Sequence, residues 1–301
     1  MTALLVTGAR GQLGSDLVAQ ASGFDAVCGL NSAELDITDG QRVLDTVTAF
    51  VNDHPDAVVL NAAAYTAVDA AESDADTAYA VNAVGPGLLA AACGKCGVPL
   101  IHLSTDYVFD GLATRPYEVD DQTGPRSVYG RTKLAGENAV LSSTAQAYIV
   151  RTEWVYGASG SNFVRTMVRL ERAQDTVSVV DDQVGSPTWS ADLAGGLLRL
   201  ARATDRVRPG VLHCTNSGLT TWYGLARAVF AELGADPARV LPCATSDFPR
   251  PARRPAHSVL SPASWIGAGF EPLRPWREAL SAAFAAVPFA EGEPAGHPRG
   301  C

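Results

Sequence analysis

The chain has 301 residues, 47% hydrophobic and 18% charged, which suits a folded protein with a substantial core and excludes a disordered one. Its 32 acidic against 23 basic residues leave a formal charge of −9, which argues against general nucleic-acid or anionic-membrane binding; an anionic ligand must meet a local cluster of donors. No apolar run approaches the roughly eighteen residues a membrane span needs, and the amino terminus carries neither a basic n-region nor a cleavage signal, so the expected compartment is the cytoplasm.

In chain order, a short apolar run at 4–6 reads as a buried strand and leads directly into Gly8-Ala9-Arg10-Gly11-Gln12-Leu13-Gly14, followed by a helix-like stretch over 15–21. Strand, glycine turn and helix is the context in which backbone N–H groups approach a diphosphate at the positive end of a helix. Further strands are expected at 26–30, 57–60, 100–103 and 148–150, separated by segments long enough for helical crossovers, one of them helix-like over 83–93. This rhythm predicts an α/β fold built on a doubly wound, parallel, Rossmann-like sheet. Ligands of such sheets lie beyond the carboxyl ends of the strands. Polar motifs begin at three of those ends, namely Gly8, Asn61-Ala62-Ala63-Ala64-Tyr65 and Ser104-Thr105-Asp106-Tyr107. The second half mixes shorter units, with helix-like runs over 163–172, 191–203 and 222–233, and the Gly/Pro-rich tail 288–301 reads as disordered.

Only two of the basic residues are lysines, and Lys133 stands four positions after Tyr129. With eight tyrosines in the chain, about 0.05 such pairs are expected by accident, so the spacing carries weight. On a helix the two side chains share a face. An ammonium near a phenol favours the phenolate and lowers its pKa, which equips the tyrosine as a general acid or base. Cys93 and Cys96 form a C-x-x-C without a second ligand pair, at a helix carboxyl end that does not activate a thiol; they read as packing residues. His102, inside an apolar strand, reads as a core histidine.

Seven strings in order, Gly8-x-x-Gly11-Gln12-Leu13-Gly14, Asn61-Ala62-Ala63-Ala64-Tyr65-Thr66-Ala67-Val68-Asp69, Ser104-Thr105-Asp106-Tyr107-Val108-Phe109, Tyr129-Gly130-x-Thr132-Lys133, Arg151-Thr152-x-Trp154-Val155-Tyr156, Asp182-Gln183-x-Gly185-x-Pro187-Thr188 and Ala252-Arg253-Arg254-Pro255, carry a family resemblance. The chain resembles the extended short-chain dehydrogenase/reductase superfamily and, more closely, the dTDP-4-dehydrorhamnose reductases. The resemblance implies a dinucleotide-binding domain over 1–151 and a smaller, partly interleaved α/β substrate-binding domain over 152–287 that partly returns to the sheet. It also implies hydride transfer to C4 of a nucleotide-linked 4-ketohexose, giving dTDP-L-rhamnose. Tyr129 would donate the proton. Lys133 would lower the phenol pKa and hold the nicotinamide ribose, and Thr105 would hydrogen-bond the reacting oxygen or tune the tyrosine.

By the same resemblance, Asp106 positions the sugar, although a carboxylate capping the loop is the other reading. Dehydratases on this fold carry a second carboxylate where Tyr107 stands, so reduction is favoured over dehydration. Gly8, Gly11, Gln12, Leu13 and Gly14 cradle the cofactor, Asp36 and Ile37 lie on its adenine side, and Ala62, Ala63 and Ala64 on its nicotinamide side. The second strand ends without an acidic residue for a ribose 2′-OH, and Arg10 could take a 2′-phosphate, so NADPH is expected, with NADH the alternative. Trp154 either packs on the substrate or belongs to the core. Asn162 opens a helix whose donors could meet phosphate, and Arg253 and Arg254 either bind the diphosphate or form an exposed pair. Some family members are dimers bridged by a metal on glutamates. Here Asp16 is present, but the segment around Asp192 lacks a glutamate, so no metal is expected and a homodimer stays open. Strand alternation turns Glu153 away from Trp154 and leaves it without a role. The rival readings are reduction of a different nucleotide-linked keto sugar, and a catalytically silent, cofactor-binding regulatory subunit, as one relative of this fold serves.

Overall fold

The computed structural model describes residues 2–287 and Phe289. Six strands form one parallel sheet: β1 (Ala3–Thr7), β2 (Val27–Leu30), β3 (Ala57–Asn61), β4 (Leu100–Thr105), β5 (Ala147–Thr152) and β6 (Gly210–His213), in the order β6-β5-β4-β3-β1-β2. Side chains alternate across it. Leu4, Val6, Val58, Leu60 and Ile101 pack on one face with Leu17 of α1 (Gln12–Gln20), and with Leu193 and Leu197 of a later helix. Leu5, Val59, Leu100 and Ile149 pack on the other with Val43 and Val47 of α2 (Gly40–Asp53), Leu89 of α3 (Gly85–Cys96) and Val140 of α4 (Val128–Leu141). Helices on both faces define the doubly wound class expected from the sequence.

The chain order reverses between β1 and β3, which opens the crevice into which the glycine loop and the Asn61 loop project. The sixth strand, from residues 210–213, lies far along the chain, after α5 (Phe163–Ala173) and α6 (Ser190–Ala201). A second core gathers Tyr156, Val164 and Met167 with Phe230 of α7 (Trp222–Glu232) and Leu280 of α8 (Trp276–Ala286). This region overhangs the carboxyl ends of the strands. Of the tail expected to be disordered, Phe289 is described and is buried with its ring 5.0 Å from that of Phe284; the rest lies outside the described residues. Among the described residues no helix is long and apolar enough to cross a membrane.

Candidate active site

A cavity of about 470 Å³ opens at the strand ends. Gly11, Gln12 and Leu13 line one end, Ala62 and Ala64 one side, and Thr105, Asp106, Tyr107, Tyr129, Lys133, Glu153 and Trp154 the other end. The glycine loop is held close to its neighbours. Gly8 has φ +72°, and a Cβ there would stand 2.6 Å from the Ala63 nitrogen; one on Gly14 would stand 2.1 Å from the Gly8 oxygen. The N-cap of α1 is Gly11, which has no side chain to cap it, so the first-turn N–H groups are available to an anion at the cavity wall. These features fit the diphosphate of a dinucleotide.

The outer cofactor residues are less committed. Arg10 is exposed, and neither it, Asp36 nor Ile37 lines the cavity. Ile37 is buried, while the Asp36 carboxylate accepts the backbone N–H and hydroxyl of Thr38 at 2.9 and 2.8 Å, which holds it below the usual range. Although no acidic residue follows β2 directly, Glu34 reaches back to accept the Asn31 N–H at 2.9 Å, placing a carboxylate at that strand end.

Ser127 caps α4 by accepting the Gly130 N–H at 3.0 Å, and this sets Tyr129 and Lys133 on consecutive turns facing β4. A buried ion pair locks the helix. Arg151 of β5 donates to Glu137 from Nε at 2.9 Å and from Nη2 at 2.7 Å, and Ser104 donates to the same carboxylate. The Thr105 hydroxyl donates to Asp106 Oδ1 at 2.8 Å and accepts the Tyr107 N–H at 3.3 Å, closing the turn after β4. The Tyr107 ring stands edge-on to Tyr129 at 5.4 Å.

The expected depression of the tyrosine pKa is not present. Burial pushes the Tyr129 phenol up to about 12, with Thr105 acting downward and the Asp106 charge upward. Lys133 is itself lowered to about 8 by burial, against the raising influence of Glu137, and its Nζ donates to the Leu103 carbonyl at 2.6 Å and stands 3.5 Å from His102 Nε2. Desolvation thus dominates at both the phenol and the lysine.

Glu153 also departs from expectation. The strand ends at Thr152, and Trp154 takes φ +47°, the left-handed region and the one such non-glycine residue among those described. This reversal breaks the alternation, so Glu153 and Trp154 line the same cavity, with Glu153 2% exposed. Its carboxylate accepts the Ser258 hydroxyl at 2.7 Å and the Leu260 N–H at 3.1 Å. Burial, then the charge of Asp106, raises Glu153 well above the carboxylate range. Asp106 is raised to about 7 by burial, and its Oδ2 is buried without a partner. It lines the cavity and does not serve as the loop cap, which is Thr105.

Trp154 lines the cavity rather than the core alone. Its indole stacks on Trp222, and the pair separates the first cavity from a second of about 420 Å³, lined among others by Phe163, Val180, Gln183, Phe248, Arg250 and Arg254. A Cβ on Gly185 would lie 2.4 Å from the Trp154 ring, which accounts for that glycine. Arg254 lines the second cavity and pairs with Asp69 at 2.9 Å; Arg253 is exposed and absent from that cavity, and both arginines line a small crevice with Arg126. Asn162 lines neither cavity. Its side chain accepts the Arg165 N–H at 3.0 Å and donates to Gln12 at 2.9 Å, tying α5 to the glycine loop. Tyr107, Glu153, Trp222 and Arg250 line these cavities, and the sequence reading placed none of them in the site. Asp16 contacts Ser190, and Asp192 pairs with Arg274 at 2.6 Å. Cys93 is buried and its thiol is pushed up to about 12, as suits a packing residue.

The chain matches the family model described as the RmlD substrate binding domain over residues 1–288. It is 52% identical to a dTDP-4-dehydrorhamnose reductase from Streptomyces griseus, over 98% of this chain and 97% of the relative. It is 46% identical to a dTDP-4-keto-6-deoxy-D-glucose reductase from Streptomyces niveus, over 93% and 96%. A crystal structure of dTDP-4-dehydrorhamnose reductase from Bacillus anthracis in complex with NADP superposes with TM-score 0.88 at 34% identity, covering 95% of this chain and 99% of the other. The chain therefore belongs to the dTDP-4-dehydrorhamnose reductase family.

Proposed function

We propose that this protein reduces the C4 ketone of dTDP-4-dehydro-L-rhamnose to dTDP-L-rhamnose with NADPH. The observation that carries this reading is the convergence of Thr105, Tyr129 and Lys133 on one cavity whose far end is the uncapped start of α1. When bound, the reduced nicotinamide supplies hydride to the carbonyl carbon. The Gly8–Gly14 loop would hold its diphosphate, Ala62 and Ala64 its nicotinamide side, and Lys133 its ribose.

Tyr129, held near pKa 12, stays protonated until negative charge grows on the substrate oxygen, and then donates its proton. The Thr105 hydroxyl steadies the same oxygen, and Lys133 at about 8 keeps positive charge beside it at neutral pH. The second cavity takes the nucleotide, with Trp154 and Trp222 as its wall and Arg254 toward the diphosphate. Arg10, exposed beside the glycine loop, supports NADPH; Glu34 at the end of β2 favours NADH as the alternative. Five free cysteines among the described residues suit a reducing cytoplasm.

A second reading, reduction of another nucleotide-linked 4-keto sugar, draws on Glu153, a carboxylate that lines the sugar end of the cavity. The test is loss of absorbance at 340 nm when protein, NADPH and dTDP-4-dehydro-L-rhamnose are mixed, with and without EDTA. Equal oxidation in both arms supports the reading and a metal-free reaction. No oxidation despite measured cofactor binding removes it, and turnover of a different keto sugar in its place selects the second.

A further inference from the structure

Behind Lys133 runs a line of buried polar groups that the proposed reduction does not use. The Thr7 hydroxyl and the Ala63 backbone N–H both donate to Asn61 Oδ1, at 2.7 and 3.0 Å. A backbone N–H can only donate, so the Asn61 oxygen is fixed on that side and its Nδ2 faces His102 Nδ1 at 3.0 Å. An amide nitrogen offers only donors, so His102 Nδ1 accepts. The ring is wholly buried, and burial followed by the Lys133 charge keeps its pKa well below the ordinary value, so it is neutral. Its single proton must then sit on Nε2, the atom 3.5 Å from Lys133 Nζ.

An ammonium has three donors and no acceptor, and an N–H aimed at it is a mismatch. A neutral amine has a lone pair for that N–H to meet. We infer that His102, as the Nε2–H tautomer, is a positioning residue that lies against the Lys133 side chain beside the Leu103 carbonyl and favours the lysine's uncharged form, the one form into which the His102 Nε2–H can donate. The other titratable groups near Lys133 are Tyr129 one turn earlier and Glu137 one turn later on α4, and Asp106, which lines the same cavity from the turn after β4. Glu137 acts in the opposite sense, but its carboxylate is engaged by Arg151 and Ser104. His102 thereby adds to burial in lowering the pH at which Lys133 loses its charge beside Tyr129. That consequence for turnover rests on the proposed reduction; the tautomer and the lysine titration do not.

The chain's lysine economy supplies the test. Lys95, the other lysine, is exposed, so Lys95→Arg leaves Lys133 as the one signal in protein labelled with carbon-13 at lysine Cε, with turnover unchanged. Nitrogen-15 spectra, with His102 assigned by its loss in His102→Gln, are expected to show the proton on Nε2, and Lys133 is expected to titrate about two units below the ordinary value of about 10.4. Asn61→Asp presents an acceptor to Nδ1, and is expected to move the proton there and raise the Lys133 midpoint by at least about one unit, a tenfold change. A proton on Nδ1 in the wild type overturns the inference, as does a flipped tautomer in Asn61→Asp with an unmoved lysine. Should Asn61→Asp not fold, Lys133 titrating at about 10.4 in the Lys95→Arg protein overturns it. All readouts are made without substrate or cofactor, so an enzyme inactive on the proposed sugar leaves them standing, and their failure leaves the reduction standing.

Discussion

The indole of Trp154 lies on that of Trp222, ring centroids 3.6 Å apart and planes 8° from parallel, and the stacked pair is the partition between the two cavities. Trp154 reaches this position only through its left-handed backbone, and Trp222 is held by its Nε1 donating to Gln183 at 3.1 Å. Aromatic pairs of this kind contribute about 0.5–1.5 kcal/mol beyond burial. Trp222→Ala is therefore expected to raise KM for the nucleotide sugar about tenfold, while steady-state kinetics find KM for NADPH unchanged. An equal rise in both would mean that the wall serves the fold and not the nucleotide.

Asp106 and Glu153 give a pH prediction with a definite sign. Both pKa values are raised by burial, Asp106 to about 7. The folded state then binds more protons than the unfolded chain between the ordinary carboxylate range and about pH 7, so the stability from these groups is present at acid pH and lost as pH rises through that window. Asp106→Asn removes the charge that Glu153 works against and lets Glu153 ionise at lower pH. The difference in Tm between pH 5 and pH 8, measured for variant and wild type, is expected to shrink in the variant; an unchanged difference contradicts the coupling.

Arg253 and Arg254 are neighbours that share one small crevice, but only Arg254 also lines the second cavity. Arg254→Ala is expected to raise KM for the nucleotide sugar about tenfold or more, the scale of one charge-assisted contact, and Arg253→Ala far less. The Asp69 pair lost with Arg254 is partly exposed and is worth at most about 1 kcal/mol, so thermal unfolding should separate the binding loss from instability.

Arg151 and Glu137 are 4% and 1% exposed, and breaking a buried pair from one side leaves an uncompensated charge, at a cost of about 3–5 kcal/mol. Arg151→Met is expected to lower Tm by many degrees. A variant as stable as wild type would show that Glu137 is protonated or rehydrated at little cost.

These residues also mark how far the sequence could be read. The first five strands stood out as short apolar runs, and the glycine loop and Tyr129/Lys133 spacing located the cavity, because such features are local. The sixth strand did not stand out, since Gly210–His213 is four residues long and its pairing with β5 is a long-range fact. The helix expected over 83–93 begins at Gly85 after a π-turn around Asn82, whose side chain donates to Thr132 of α4, a contact with no local signature. Glu153 was misread because alternation presumes a continuing strand, and one residue at φ +47° ends it. His102 is buried as expected, but its link to Lys133 depends on β4 and α4 meeting. Arg253 and Arg254 could not be told apart, because a side chain's direction in an irregular loop follows from tertiary packing.

The central claim is that Tyr129 donates the proton, and the most direct measurement compares single-turnover oxidation of bound NADPH by dTDP-4-dehydro-L-rhamnose in Tyr129→Phe and wild-type protein, with cofactor affinity measured in parallel. General acid catalysis contributes about 10²–10⁴-fold, so the variant should bind NADPH normally and oxidise it at least about a hundredfold more slowly. Wild-type rates in a variant that retains normal cofactor binding would contradict the account, because the reacting oxygen would then draw its proton from elsewhere.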